Sequence, residues 1–546
     1  MDEFDVLFKM RTGKTLDELT RISSPEETIA RKRKEVQSRF PLRGIGWASD
    51  GFATLAEEER GHTHILGLPG QGKSKFLELL IRGDIDNLVA RRSKAGLCLI
   101  DSSDFGNTYY KILRYCVQVG YQKVCLIDPN DLFKAEFGKV ATINPIHYRA
   151  PVDVVAENVL EVMRILWDAD NWTQTAKIQD YLEAVLAILH ETEATLFEAR
   201  YFRSRKRNDL YIQKRDEILS RIRYRQFSDA ATIIDEVFSY NDNLFVNEFG
   251  STMRRLRPLF SKTLSLITGS NASPLNFQTM IAEGWVILCN LDPLIWGVPQ
   301  QKFLGTLVIN ELIYATYRLK AAGREIPYYL YIDEVGRYAT RMLADVISYK
   351  RTSRIQLIMA HQDFSQIKNA EVLAAVRNAP IKVLFYVERD DREKVVRQMF
   401  GGDVPLNQAV WEVGKLQKQE AYIRVGKQNP RKTLIKNLPD PNVSDARVNA
   451  FKRQIYQNDW YRTKREIYDE INARFKPTQS SSVLKKRHSA KGPVEATRGR
   501  RGKGKDSDGA AARTVSDNRP DGAAVLFGKK GRATRKVNPN PPQEDR

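Results

Sequence analysis

The 546-residue sequence predicts an α/β fold with a mostly parallel sheet, an inserted all-helical domain and a disordered basic C-terminal tail. Three observations predict it. Short apolar, β-branched runs alternate with helical-looking segments along most of the chain, as in parallel sheets buried on both faces. Residues 152–262 interrupt this alternation with helical periodicity. From residue 476 onward small and basic residues dominate, and large apolar side chains are too few to form a core.

These changes in pattern divide the chain into five predicted parts. The first is mostly helical, because Ser24 and Pro25 form a typical helix start, as N-cap and first helical residue. The parts are a charged helical lead-in (1–45), the first part of the α/β domain (46–151), the helical insertion (152–262), the second part of the α/β domain (263–475) and the tail (476–546).

The net charge of +20 makes nucleic acid or an anionic membrane surface the expected partner. The N-terminus lacks the basic and apolar regions of a signal peptide, and no apolar run approaches the about 18 residues of a membrane span. We therefore expect a cytoplasmic protein. Cys98, Cys125 and Cys289 lie in apolar runs and form no C-x-x-C pair, which predicts buried reduced thiols and no zinc site.

A glycine-rich loop separates the apolar run at residues 64–66 from a helix that begins near Lys73. It fits the phosphate-binding pattern G-x-x-x-x-G-K-[ST], in which curled backbone amides and a helix N-terminus face phosphate oxygens. Lys73 is expected to reach the β- and γ-phosphates, and Ser74 to hold Mg²⁺. An ordinary glycine-rich turn is the alternative, which the flanking strand and helix disfavour. The predicted binding residues are Gly67, Pro69, Gly70, Gln71, Gly72, Lys73, Ser74 and Lys75.

An apolar run at residues 328–332 ends in Asp333 and Glu334. A carboxylate at a strand end beside the glycine-rich loop can hold Mg²⁺, which is the predicted role of Asp333. The adjacent Glu334 can orient and deprotonate an attacking water. Many strands end in such a pair, so the prediction depends on the glycine-rich loop upstream.

Gln362 follows the next apolar run, residues 355–360. An amide at the end of a strand beside the phosphate loop can contact a γ-phosphate, and a glutamine that only caps its strand is the alternative left open. We expect His361 to be a spectator, because nothing near it in the sequence marks a metal site or a catalytic triad.

An arginine from a neighbouring subunit can stabilise charge in the transition state of phosphoryl transfer. Arg351 and Arg354 are the main candidates, and a surface position is the alternative for each. Weaker candidates are Arg254, Arg255 and Arg257.

Two stretches carry most of the excess positive charge. Residues 200–225 contain ten Lys or Arg and three Asp or Glu, with four interleaved aromatic residues. They predict either a nucleic-acid surface or a solvated helix face whose aromatic side chains point to the core. Residues 477–546 hold 17 Lys or Arg and seven Asp or Glu, which suits either a loose polyanion-binding tail or a solubility tail.

Together these residues resemble the ring ATPases of the HerA/FtsK group, and most closely the type IV secretion coupling proteins of the TraG/TraD type. The resemblance covers residues 45–440. Its segments are residues 64–74, 99–101, 126–129 and 143–146, the pair Asp333 and Glu334, residues 360–366, and Arg351 eleven positions before Gln362. The sequence departs from the family in lacking N-terminal membrane helices, in Asp363 where serine is common, and in Ser102, Ser103 and Asp104 where the family has Pro-Lys-Gly.

The resemblance implies a RecA-like P-loop NTPase domain that binds ATP and Mg²⁺ between the subunits of a homo-hexamer. It implies DNA in the central channel and Arg351 acting in trans. It also implies recruitment of a relaxase–DNA complex to membrane secretion-channel proteins, with peripheral attachment to the inner face of the membrane through a partner.

We therefore predict an ATP-hydrolysing ring motor that translocates DNA as a conjugative coupling protein, with Lys73, Glu334, Gln362 and Arg351 as catalytic residues. Two alternatives stay open. One is a HerA/FtsK-like translocase of double-stranded DNA for repair, segregation or packaging. The other is a DNA-binding recruitment protein whose ATP site only sets its state of assembly.

Overall fold

The computed structural model of the chain describes residues 42–48, 51–56, 60–103, 107–146, 151–164, 176–203, 209–255, 260–272, 274–292, 297–348, 354–400 and 404–474. All of them belong to one compact unit, Met1–Lys476, and Pro477–Arg546 forms a second unit. The predicted tail and most of the predicted lead-in lie outside the described residues.

Eleven strands form one sheet in the order β2-β1-β12-β11-β10-β3-β9-β8-β4-β7-β5, and β6 pairs with β13 separately. The strands are β1 (Leu42–Ala48), β2 (Gly51–Ala56), β3 (Thr63–Leu66), β4 (Leu97–Asp101), β5 (Val124–Ile127), β6 (Lys139–Ala141), β7 (Val286–Asn290), β8 (Tyr328–Ile332), β9 (Ile355–His361), β10 (Ile381–Leu384), β11 (Glu420–Val425), β12 (Arg431–Ile435) and β13 (Tyr461–Thr463).

The pairing direction changes once along the sheet. The seven strands from β10 to β5 run parallel. The four strands from β11 to β2 continue the sheet antiparallel. Strands β4, β5, β7 and β8 are buried at every residue, as their continuous apolar runs predict for a sheet covered on both faces. The predicted α/β class with a mostly parallel sheet is confirmed.

Helices connect the parallel strands, and pairs such as α1 with α2 and α9 with α10 pack against each other. The helices are α1 (Lys73–Val89), α2 (Asn107–Val119), α3 (Val152–Arg164), α4 (Ala176–Glu191), α5 (Asp209–Leu219), α6 (Asp229–Ser239), α7 (Asp242–Arg255), α8 (Lys262–Ile267), α9 (Phe277–Glu283), α10 (Val298–Ala321), α11 (Arg341–Ser348), α12 (Ala370–Arg377), α13 (Arg389–Phe400), α14 (Leu406–Val413), α15 (Asp445–Ile455) and α16 (Lys464–Arg474).

The strand order brings the sequence-predicted residues to one edge of the sheet. β3 lies between β9 and β10, and β8 lies between β9 and β4. Because carboxyl ends of parallel strands share one edge, the loop after Leu66, the acids after Ile332 and the residue after His361 are neighbours.

The described residues between 152 and 262 are helical and contain no strand. Their core is aromatic: the ring of Tyr181 lies 5.0 Å from that of Phe249, and Phe245 lies 5.5 Å from Phe249 and 5.9 Å from Phe238. Helix α3 also packs on α10 of the α/β part. The domain boundaries drawn from the sequence stay predictions.

Two elements differ from the sequence-based assignment. Strand β1 begins at Leu42, inside the predicted helical lead-in, because it pairs with β2 on one side and with the distant β12 on the other. The predicted charged helix near residues 461–475 is preceded by β13, whose Tyr461 pairs with Ala141. In both cases a strand is formed by pairing that no local pattern shows.

The four cysteines are buried and free, as expected for reduced thiols. None of the helices in the described part of the chain is long and apolar enough to cross a membrane.

Candidate active site

The loop between β3 and α1 needs glycine at two positions for different reasons. Gly72 has a φ of 123°, a backbone conformation that side chains with a Cβ strongly disfavour. At Gly67 there is no room for a side chain, since a Cβ there would lie 2.5 Å from Cβ of Phe385. These two glycines let the chain curl tightly between the strand and the N-terminus of α1.

Lys73 is the first residue of α1, and its side chain reaches back to this loop. Its Nζ donates to the carbonyl oxygens of Gly67 at 2.6 Å and Leu68 at 3.1 Å. Burial lowers the pKa of Lys73, and the carboxylates of Glu334 and Asp333 act in the opposite direction. The ammonium is thus held by carbonyl oxygens at the bottom of the loop, where it can exchange them for phosphate oxygens.

Asp333 follows β8 and is buried, with 4% of its surface exposed. The Ser74 hydroxyl lies 3.4 Å from its Oδ2, and the backbone N–H of Glu334 donates to its Oδ1 at 3.1 Å. Burial, and then the nearby carboxylates of Asp101 and Glu334, raise the pKa of Asp333 to about 7 although Lys73 acts in the opposite direction. At neutral pH this carboxyl is therefore close to its point of half-protonation.

Glu334 has a φ of 58°, which is uncommon for a residue other than glycine and often marks a functional site. Its Oε1 accepts a hydrogen bond of 2.7 Å from Nε2 of Gln362. The backbone N–H of Gln362 in turn donates to Oε1 of Gln366 at 3.1 Å. The two side chains predicted to orient water and to contact phosphate are therefore bonded to each other.

One cavity of about 780 Å³ unites these groups. The predicted residues that line this cavity are Pro69, Gly70, Gly72, Lys73, Ser74, Lys75, Asp333, Glu334 and Gln362. Gly67 and Gln71 contribute backbone oxygens instead: Gly67 binds Lys73, and the carbonyl of Gln71 accepts from the N–H of Gln419 at 2.8 Å. Their functional roles stay predictions.

The structure does not place the candidate trans arginines at this cavity. Arg351 and Arg257 lie outside the described residues, and the side chains of Arg254 and Arg255 are also not described. Arg354 donates from Nε to Oε2 of the exposed Glu325 at 2.9 Å, away from the cavity lining.

Sequence reasoning missed several polar residues that line the cavity. Arg337 follows Glu334 by three residues, and its Nη1 donates to Oε1 of the buried Gln301 at 2.9 Å. Because Arg337 is so close to Glu334 in the sequence, it could have been proposed as a site residue from the sequence alone. The others are Ser102, Ser103, Lys111, Lys418, Gln419, Asn437 and Asp440.

Asp440 lies at the cavity wall between two lysines. Nζ of Lys111 is 3.0 Å and Nζ of Lys75 is 3.8 Å from its Oδ1. Their proximity, that of Lys111 first, lowers the pKa of Asp440. No sequence pattern links Asp440 to residues more than 300 positions earlier, so only the folded chain shows this contact.

Most of the aromatic side chains of the basic stretch 200–225 pack inward. Tyr201 and Phe202 are 9% and 1% exposed, and the ring of Tyr211 lies 5.2 Å from that of Tyr201. Tyr224, in contrast, is 64% exposed. Residues 204–208 lie outside the described part. Three of the four aromatic side chains therefore pack inward, and Tyr224 is the one available to stack on a base.

Replacing Asp333 by asparagine is expected to stabilise the protein without Mg²⁺ or nucleotide, and more at pH 8 than at pH 5. The folded state keeps the Asp333 proton up to about pH 7, whereas the unfolded chain loses it near pH 4. Rising pH therefore destabilises the wild type in this window, by an amount on the order of a few kcal/mol. Urea unfolding across this pH range measures it.

The matched control is Asp469→Asn, which removes an exposed carboxylate. It should shift stability by the same small amount at both pH values. A wild type and an Asp333→Asn variant with parallel pH profiles would contradict the raised pKa.

No family model matches this chain, and no curated protein matches it. Among solved structures, the plasmid coupling protein TrwB in complex with the non-hydrolysable ATP analogue ADPNP aligns with a TM-score of 0.50 and 14% identity. The alignment covers 79% of this chain and 95% of TrwB. VirB4 of Thermoanaerobacter pseudethanolicus aligns with a TM-score of 0.46 and 15% identity, over 72% of this chain and 96% of VirB4.

At this identity the likeness to TrwB concerns the fold. The chain shares the fold that the resemblance to coupling proteins implied, and that expectation is confirmed.

Proposed function

We propose that this protein is a Mg²⁺-dependent ATPase that works as a ring motor on DNA in the manner of a conjugative coupling protein. The observation that carries the ATPase proposal is the single cavity that holds Lys73, Ser74, Asp333, Glu334 and Gln362 together. The fold supports binding of a nucleoside triphosphate, because TrwB was solved with an ATP analogue.

The donor atoms fit Mg²⁺. Ser74 and Asp333 offer a hydroxyl and a carboxylate oxygen 3.4 Å apart, and Mg²⁺ prefers oxygen ligands completed by phosphate oxygens and water. The described residues include no cluster of three acidic, histidine or cysteine side chains suited to a metal. When bound, Mg²⁺ neutralises phosphate charge.

The chain's own residues supply the remaining steps. Loop amides and Lys73 bind the β- and γ-phosphates, and the fold keeps Lys73 at the loop before nucleotide arrives. Glu334 accepts the proton of a water as its oxygen bonds to the γ-phosphorus and the bond from phosphorus to the β–γ bridging oxygen breaks. Gln362 holds the carboxylate of Glu334 in place through their hydrogen bond.

The basic residues that line the cavity make it suited to a polyanion. Lys75, Lys111, Lys418 and Arg337 line the cavity, and Asp440 is the acidic residue beside them. Lys111 and Lys75 both contact Asp440, so an incoming triphosphate competes with this carboxylate for the same ammonium groups.

The DNA substrate, the hexamer and the relaxase and channel partners are inferred from charge and from the coupling-protein fold. The net charge of +20 suits a polyanionic substrate, and TrwB is itself a plasmid coupling protein. In a ring, Arg351 from the neighbouring subunit would complete the charge stabilisation around the γ-phosphate.

Steady-state ATP hydrolysis with and without single- and double-stranded DNA, at two salt concentrations, tests this proposal. We expect stimulation by single-stranded DNA that weakens at high salt, because phosphate contacts release counterions. Lys73→Ala provides the background rate.

Other outcomes favour the alternatives. Stronger stimulation by duplex DNA would favour a double-stranded DNA translocase. Hydrolysis that neither form of DNA changes would contradict the motor and favour a recruitment protein whose ATP site sets its assembly.

A further inference from the structure

Two buried histidines join the phosphate-loop strand to the strand that carries Gln362. His64 lies on β3, three residues before Gly67, and His361 is the last residue of β9. Their Nε2 atoms are 2.7 Å apart. His64 is 4% exposed and His361 is fully buried. The sequence alone suggested a spectator at position 361, because its partner is 297 residues away.

The second contact of His361 fixes its tautomer. Nδ1 of His361 lies 2.8 Å from the backbone oxygen of Asp363, and a carbonyl oxygen can only accept. His361 therefore carries a proton on Nδ1. If the ring is neutral, its Nε2 has a lone pair and accepts from Nε2–H of His64.

The surroundings keep both rings neutral at pH 7. For His64, burial and then the nearby His361, Lys382 and Arg377 lower the pKa well below its ordinary value. For His361, burial lowers the pKa to about 4 despite the backbone and carboxylate of Asp363, and Lys73 and Arg377 lower it too. The hydrogen-bond direction is therefore His64 to His361 to Asp363.

We propose that this chain of hydrogen bonds positions Gln362 against Glu334, which makes His64 and His361 positioning residues for hydrolysis. Gln362 lies between the two anchored residues, His361 before it and Asp363 after it. Its Nε2 reaches Glu334 at 2.7 Å, so a shift of this turn moves the carboxylate that orients water. The inference rests on the ATPase function proposed above.

Kinetics of four variants tests the positioning role. His64→Gln keeps a donor nitrogen near the Nε2 position, and His361→Asn keeps a donor near the Nδ1 position. His64→Leu and His361→Leu leave no side-chain hydrogen-bonding group at their positions. We expect His64→Leu and His361→Leu to lower kcat about tenfold with KM for ATP nearly unchanged, since small misplacements near the reacting atoms cost rate.

The conservative variants make the test specific. His64→Gln should restore kcat to within about threefold of the wild type, and His361→Asn should fall between wild type and His361→Leu. Equal losses for His64→Gln and His64→Leu, or a kcat that His64→Leu leaves unchanged, would overturn the proposal.

Nitrogen-15 NMR of the wild-type protein, labelled at its six histidines, tests the direction of this chain of hydrogen bonds. The test does not require that any variant folds. We expect an Nδ1–H tautomer for His361 and an Nε2–H tautomer for His64 at pH 7. His62 is the internal reference, because its Nδ1 accepts from the N–H of Leu357 at 3.2 Å and its proton is on Nε2.

The two readouts separate the possible failures. If the enzyme is active but His361 carries its proton on Nε2, or is doubly protonated, the proposed chain of hydrogen bonds is refuted. The ATPase proposal is unaffected by that result. A wild type that hydrolyses no ATP would refute the proposed function and the positioning role with it, whatever tautomers the spectrum shows.

Discussion

Replacing Glu334 by glutamine is expected to lower kcat for ATP hydrolysis by roughly 10²- to 10⁴-fold and to leave ATP binding intact. Glutamine has nearly the same shape, and its Oε1 can still accept from Nε2 of Gln362 as the carboxylate does. What it loses is the ability to take a proton from water. Steady-state kinetics and a fluorescent-nucleotide binding titration measure the two effects separately.

The control for this variant is Glu393→Gln, which removes an exposed carboxylate that pairs with Arg397. It should hydrolyse ATP like the wild type. Turnover by Glu334→Gln near the wild-type rate would show that another group activates the water. Loss of nucleotide binding would instead indicate that the left-handed backbone at residue 334, with its φ of 58°, tolerates glutamine poorly.

The sequence predicts the part of this site that is local. The glycine-rich loop with Lys73 is one continuous segment, and Asp333 with Glu334 ends a single apolar strand. Such segments can be recognised from the sequence alone, because the patterns that predict their strand, turn and helix lie within the segment itself. The α/β class follows from the same short-range patterns.

What the sequence does not show is which strands become neighbours. β3 lies between β9 and β10, and residues about 300 positions apart therefore meet. The pair of His64 with His361 depends on this order, because β3 pairs with β9. The hydrogen bond from Gln362 to Glu334 depends instead on the pairing of β9 with β8, whose residues are much closer in the sequence. Strand pairing is decided by burial in the whole sheet, and no local periodicity encodes it.

The antiparallel strands illustrate the same limit. β11 and β12 fold back so that Lys418, Gln419 and residues 437–440 reach the wall of the cavity. β1 extends this part of the sheet although its residues carry two glycines and no strong strand pattern. β1 is stabilised by pairing with β2 and with β12, and β12 is nearly 390 residues away in the sequence. The predicted helical lead-in therefore ends in residues that form a strand.

Replacing Lys73 by alanine is expected to reduce ATP hydrolysis by at least about 10³-fold and to weaken nucleotide binding, since phosphoryl transfer depends on positioned cations. The ammonium of Lys73 is buried and held by the carbonyl oxygens of Gly67 and Leu68. A charge held in a site of low water content acts more strongly on phosphate than one in solvent. Hydrolysis assays and nucleotide titration measure the loss.

The matched control is Lys123→Ala, which removes an exposed ammonium that pairs with Glu283. It lowers the net charge by the same amount without touching the loop, so its hydrolysis should equal that of the wild type. If Lys73→Ala lost only affinity and reached the wild-type kcat at saturating ATP, Lys73 would bind ground state and transition state equally. The loop would then serve binding alone, and the rate would have to come from Glu334 and the other positively charged residues that line the cavity.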